Sequence, residues 1–185
     1  MFIQTEDTPN PATVKFIPGQ QILESGTLDF ASQGDASRSP LAARLFGIVG
    51  VARVFFSTDF VSVSKADDTD WSMLKPMILA VLMEHLSTGQ PILDKGYASK
   101  ETSSEDDDEI TKQIKELLDE RVRPMVAMDG GDIVFERFED GIVYLQMHGA
   151  CSGCPSSTAT LKVGIENMLR HYIPEVIEVR PSAEY

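Results

Sequence analysis

The chain has 185 residues, 42% hydrophobic and 24% charged, enough for one mid-sized core or two small ones. A formal charge of −13 argues against broad nucleic-acid or anionic-membrane binding, because both depend on Lys and Arg neutralising phosphate. Its two cysteines fall in one Cys-x-x-Cys, which excludes a disulfide framework, and no run of about 18 apolar residues offers a membrane span.

The start, Met1 to Asp7, has no basic region leading into an apolar run and no Arg-rich transit pattern, so the chain is expected to stay in the cytoplasm. Short runs rich in Val, Ile, Phe and Thr at Ile3 to Thr5, Val14 to Ile17, Val51 to Phe56 and Phe60 to Ser64 predict strands. Pro40 to Phe46 reads as a short helix. Trp71 to Leu86 reads as a longer one, with Leu74, Ile78, Val81, Leu82 and His85 close to helical spacing. Pro76 leaves three options there: a start at Asp70, a weak kink, or a start nearer Lys75. Residues 1–95 are expected to form a small α+β domain without a catalytic set, since Asp59, Asp67, Asp68 and His85 share no spacing that makes a site.

Residues 96–109 hold almost no large apolar side chains, and from Ser99 to Glu109 one Lys stands against six acidic residues. Such a segment buries too little surface to offset its ordering entropy, so a flexible acidic linker is expected. Its last acidic residues suit the positive N-terminal end of the helix that follows.

Residues 110–185 predict the order α-β-β-α-β, making the whole an α+β chain of two small mixed domains. Ile110 to Arg123 is a helix with Ile114, Leu117, Leu118 and Val122 on one face, expected to end at Pro124. Ile133 to Phe138 and Ile142 to Met147 alternate as strands about the turn Glu139-Asp140-Gly141. After Gly149-Ala-Cys-Ser-Gly-Cys-Pro155 a helix runs to about His171, with Leu161, Ile165, Met168 and Leu169 facing inward, and Val176 to Val179 forms the last strand.

Cys151 and Cys154 can chelate one edge of a metal centre, because the turn between them lets both sulfurs address one point. Pro155 at the first helical position leaves free N–H groups pointing toward the pair, and a helix N-terminus lowers a thiol pKa, so reactive thiols are expected. Three readings stay open: half of a four-cysteine site for zinc or an iron–sulfur cluster, a redox disulfide, or two inert buried residues. A site of four sulfurs needs two chains, since one chain supplies two. His171 lies roughly 24 Å along the helix and cannot complete a site, and His148 reads as a strand-end residue. A thiol–disulfide oxidoreductase is disfavoured because the motif follows a hairpin strand and encloses Ser-Gly. Asp129 and Asp132 are expected to cap the Gly130-Gly131 turn, whose glycines serve backbone conformations that other residues resist.

Met128-Asp-Gly-Gly-Asp132, Gly149-Ala-Cys-Ser-Gly-Cys-Pro-Ser-Ser157 and Thr160-Leu-Lys-Val-Gly-Ile-Glu166 resemble, in order, the C-terminal module of NifU-like iron–sulfur proteins, the Nfu domain. Thr5-Glu-Asp-Thr-Pro-Asn-Pro11 leading into Lys15-Phe-Ile-Pro-Gly19 resembles the N-terminal domain that accompanies it. The resemblance implies a [4Fe–4S] cluster bound by Cys151 and Cys154 of each of two chains, no catalytic turnover, supply from an upstream assembly scaffold, and delivery to apo iron–sulfur proteins. Neither nucleic acid nor membrane is an expected partner. The setting would be the bacterial cytoplasm, or the mitochondrial matrix if a transit peptide has been removed. A zinc-bridged structural dimer and a thiol oxidoreductase remain the alternatives.

Overall fold

The computed structural model describes residues 1–97 and 107–182, with the backbone alone for residues 155–158. The chain divides into two compact units, Met1–Glu101 and Thr102–Tyr185. Among the described residues no helix is long and apolar enough to cross a membrane.

The first unit is an antiparallel sheet of five strands with two helices. The strands are β1 (Gln4–Asp7), β2 (Thr13–Ile17), β3 (Leu28–Phe30), β4 (Val51–Phe56) and β5 (Val61–Lys65), in the spatial order β1-β2-β5-β4-β3. The helices are α1 (Pro40–Phe46) and α2 (Trp71–Ser87). Val14, Phe16, Val54, Phe56, Val61 and Val63 share a core with Leu41 and Leu45 of α1 and Leu74, Ile78 and Leu82 of α2. The first strand differs from its expected bounds because Ile3 is buried in that core rather than paired in the sheet. β3 and a 3₁₀ turn, Asp35–Arg38, were not expected, since a three-residue strand is too short to display a period of two. Of the three starts open for α2 the first holds: Asp70 is its N-cap and its carboxylate accepts from the Ser72 N–H at 2.8 Å. Pro76 lies inside the helix and removes one i→i−4 bond without ending it. Asp59, Asp67 and Asp68 are exposed.

His85 is fully buried on α2 and turns Nε2 to the Pro91 carbonyl at 3.1 Å, leaving Nδ1 without a partner. Burial, assisted by Arg44, holds its pKa below the usual histidine value against the opposing pull of the Pro91 carbonyl and Glu84. The folded state therefore prefers the neutral ring. Its contribution to stability is complete above the unfolded value of about 6.5 and is lost as pH falls below it. Urea melts at pH 7.5 and 5.5 are expected to show a larger loss for the wild type than for His85→Gln, which cannot titrate; equal losses would rule out this assignment.

The second unit is a three-stranded sheet packed with helices. Its elements are α3 (Glu109–Leu117), a π-turn (Leu118–Val122), α4 (Arg123–Met128), β6 (Gly131–Glu139), β7 (Ile142–Gly149), α5 (Pro155–Tyr172) and β8 (Glu178–Pro181). β6 and β7 pair antiparallel, while β8 lies parallel to β7 after the α5 crossover. The hairpin turns on Asp140 and Gly141, at φ 51° and 79°, the two left-handed positions of a type I′ turn. Ile114, Leu118, Val122, Val126, Ile133, Val143, Leu145, Ile165 and Leu169 form the core. Asp108 caps α3, its side chain accepting from the Thr111 N–H at 2.7 Å, with Glu109 in the first turn. The rest of the acidic linker expectation, residues 98–106, lies outside the described residues.

Pro124 does not end the first helix of this unit. It cannot donate to the carbonyl four residues back, and its ring would crowd that carbonyl in a regular helix. The chain widens one turn instead, so that the Arg123 N–H reaches the Leu118 carbonyl, and α4 restarts with Pro124 in its first turn, where an N–H is not needed. The last strand also shifts, from the expected Val176–Val179 to Glu178–Pro181, because Val176 is buried in the core ahead of the pairing register.

Candidate metal centre at the cysteine loop

β7 delivers the chain into a tight turn at Gly149, and α5 begins at Pro155 with Cys154 as its N-cap. Cys151 and Cys154 therefore bracket the turn that enters α5. They lie close enough for Cys154 to contribute to the electrostatics at Cys151. Among the described residues no group of three or more His, Cys, Asp or Glu could hold a metal ion, so none of them joins the pair as a third ligand. His148 is half-buried on β7 opposite Asp132, and His171 is exposed in the last turn of α5.

The thiols are not in the expected state. Cys151 is 4% exposed and Cys154 is fully buried. Cys151 packs with the domain core, and its thiol is pushed up to about 12, first by burial and then by the carboxylates of Asp129 and Asp132 and by Cys154. A helix N-terminus acts over about one turn. Cys151 sits a turn before the N-cap, where tertiary burial decides.

Beneath Cys151 lies Gly131. A Cβ there would stand 2.5 Å from Cys151 Sγ, 2.8 Å from the His148 carbonyl and 2.9 Å from the Cys151 nitrogen. Gly131 is thus required by close approach, whereas its neighbour Gly130, at φ 81°, serves the backbone conformation that was expected. The Ala150 N–H donates to the Gly130 carbonyl at 3.2 Å and joins the loop to this turn.

Asp132 carries an ion pair that was not expected. It is 2% exposed, and both its oxygens accept from Arg123, Nε to Oδ1 and Nη2 to Oδ2, each at 2.9 Å. Oδ1 also accepts from the Ile133 N–H at 2.8 Å, and Arg123 reaches Asp119 Oδ1 at 3.0 Å through Nη1. This two-pronged pairing, with desolvation opposing it, drives the Arg123 pKa up. Sequence reading missed Arg123, because its link to Asp132 depends on the π-turn; an Arg next to a mid-helix Pro was the available signal. Asp129 ends α4, its N–H bonded to the Val126 carbonyl at 3.1 Å.

The far end of the crossover is tied down as well: the Val179 N–H donates to Glu166 Oε2 at 3.1 Å and Lys162 pairs with Glu178 at 3.6 Å. α5 is thereby fixed to β8.

The family described as scaffold protein Nfu/NifU N terminal matches residues 3–89, and the NifU-like domain matches residues 114–180. The human protein named NFU1 iron-sulfur cluster scaffold homolog, mitochondrial, is 54% identical over 177 residues, 95% of this chain and 70% of the human one. NifU-like protein 4, mitochondrial, of Arabidopsis thaliana is 54% identical over 181 residues, 95% of this chain and 64% of that protein. The chain spans about two thirds of the length of these curated relatives. The solution structure of a NifU-like protein from Saccharomyces cerevisiae aligns at TM-score 0.47 and 25% identity, covering 51% of this chain and 86% of the yeast one. With both domain matches in order and this identity across nearly its whole length, the chain belongs to the Nfu family of NifU-like proteins.

Proposed function

We propose that the chain is an iron–sulfur cluster carrier in which Cys151 and Cys154 of two copies together hold one [4Fe–4S] cluster. The cluster is received from an upstream assembly scaffold and passed to apo iron–sulfur proteins. The observation that carries this reading is a pair of thiols at the head of α5 with no third ligand among the described residues. Soft sulfur donors suit iron–sulfur chemistry, and two per chain make half of a four-ligand set, so the site is complete only in a pair. Room for the second copy exists along α5, where Val163 is 56% exposed and a Cβ on Gly164 would meet nothing within 4 Å. The scaffold role named for the human relative is consistent with this reading.

The raised Cys151 pKa weighs against Cys151 as the nucleophile of the redox alternative. A thiol at about 12 presents little thiolate at neutral pH to attack a disulfide, whereas an iron cation compensates the thiolate charge as it binds. The cluster is cargo, and the work of this chain is to hold it by few bonds and release it, one thiolate exchange at a time.

Anaerobic reconstitution with iron and sulfide, followed by incubation with an apo iron–sulfur protein, tests the proposal. About four irons with equal acid-labile sulfide per two chains, lost from the carrier as the recipient gains them, is the expected result. Zinc without sulfide would favour a structural dimer. A reversible Cys151–Cys154 disulfide with turnover and no iron uptake would favour an oxidoreductase. The relatives above are mitochondrial by name. The cytoplasm and the mitochondrial matrix both stand as settings for this chain, and cell fractionation distinguishes them.

A further inference from the structure

A cluster shared by two chains must contact all four sulfurs at once, yet Cys151 and Cys154 are buried within their own unit. Gly131 is what allows Cys151 to lie so deep, since any side chain there would collide with its sulfur and with backbone on either side of it. Gly131 is itself held in place, because the next residue, Asp132, is gripped by both prongs of Arg123 on α4. The loop above is held differently. The Ser152 N–H bonds to the Gly149 carbonyl at 3.1 Å within the turn. The Ala150 N–H donates to the Gly130 carbonyl at 3.2 Å and the Cys151 N–H to the His148 carbonyl on β7 at 3.3 Å, two backbone bonds that break when the turn lifts. Gly149 and Gly153, at φ 60° and 67°, stand at the two ends of the turn, where glycine changes conformation at little cost.

We infer that Gly131, fixed by the Arg123–Asp132 pair, is the seat of a latch. It keeps the Cys151 thiol covered in the cluster-free chain, and residues 149–154 lift from it to present both sulfurs to the cluster and the second copy. Arg123 and Asp132 are positioning residues that act through Gly131. The purpose of the lifting rests on the carrier reading; the covering does not.

The experiment is alkylation of the full, cluster-free chain with iodoacetamide at one pH, resolved for Cys151 and Cys154 by peptide mass, at several urea concentrations below the unfolding midpoint. Lifting a six-residue turn exposes little surface, so the wild-type rate is expected to be nearly independent of urea, unlike the steep dependence of global unfolding. Gly131→Ala is expected to label about tenfold faster or more, because the collision favours the lifted turn. Arg123→Lys, which keeps the charge and loses the two-pronged grip, is expected to raise the urea-independent rate. A residue that only stabilised the fold would move the midpoint and leave that rate unchanged. Wild-type labelling that climbs with urea in step with unfolding would overturn the latch, and this reading needs no variant to fold. A chain that binds a cluster yet labels as fast as Gly131→Ala loses the latch alone. A chain that binds no iron but shows the slow, urea-independent pattern keeps the latch and loses the carrier reading.

Discussion

Cys151→Ala and Cys154→Ala are each expected to reduce iron and acid-labile sulfide after anaerobic reconstitution to background, while the chain stays folded. In a four-ligand site shared by two copies, one substitution per chain removes half of the sulfurs, and an iron–sulfur cluster does not persist on two thiolates in water. The cost to the fold is small by comparison. A buried cysteine packs as a small hydrophobe, so loss of Sγ is expected to destabilise by about 1 kcal/mol. Cys154 makes no side-chain capping bond at α5, so alanine there loses no cap. Metal analysis beside a urea melt checks both halves. A variant that keeps its cluster would remove that cysteine from the ligand set.

The second large effect is an asymmetry in the ion pair under the loop. Asp132 has 3% of its side chain exposed and Arg123 34%, so the two truncations leave different remnants. Arg123→Ala strands a carboxylate in the interior with the Ile133 N–H among its remaining donors, and a buried charge deprived of its partner costs about 3–5 kcal/mol. Asp132→Ala leaves a guanidinium that still reaches water and Asp119, and the expected cost is roughly 1–2 kcal/mol. Urea midpoints of the two variants measure the difference. Equal midpoints would mean that Asp132 is less desolvated than the structure has it.

The hairpin was legible because Asp140-Gly141 sits between two alternating runs, a local signal for a local turn. The start of α5 was legible for the same reason, with Pro155 placed where a helix accepts it. Pro124 misled because a proline is read as a stop unless the chain can widen a turn, and what pays for the widening is burial of Leu118 and Val122, which lies beyond the sequence neighbourhood. β3 was invisible at three residues, its pairing to β4 being the larger part of its definition. At the site, the identity of the two cysteines was plain and their environment was not. The dipole of a helix end can be inferred from Pro155, but the depth of Cys151 depends on a glycine twenty residues earlier and on an ion pair that holds it.

That the cysteines of one chain form half a site is tested most directly by native mass spectrometry of the reconstituted protein, mixed from wild-type chains and chains carrying both Cys151→Ala and Cys154→Ala. The expected result is one cluster, of about four irons and four sulfides, only in species with two wild-type chains. A cluster of that mass on a single wild-type chain, or in a mixed pair, would contradict it.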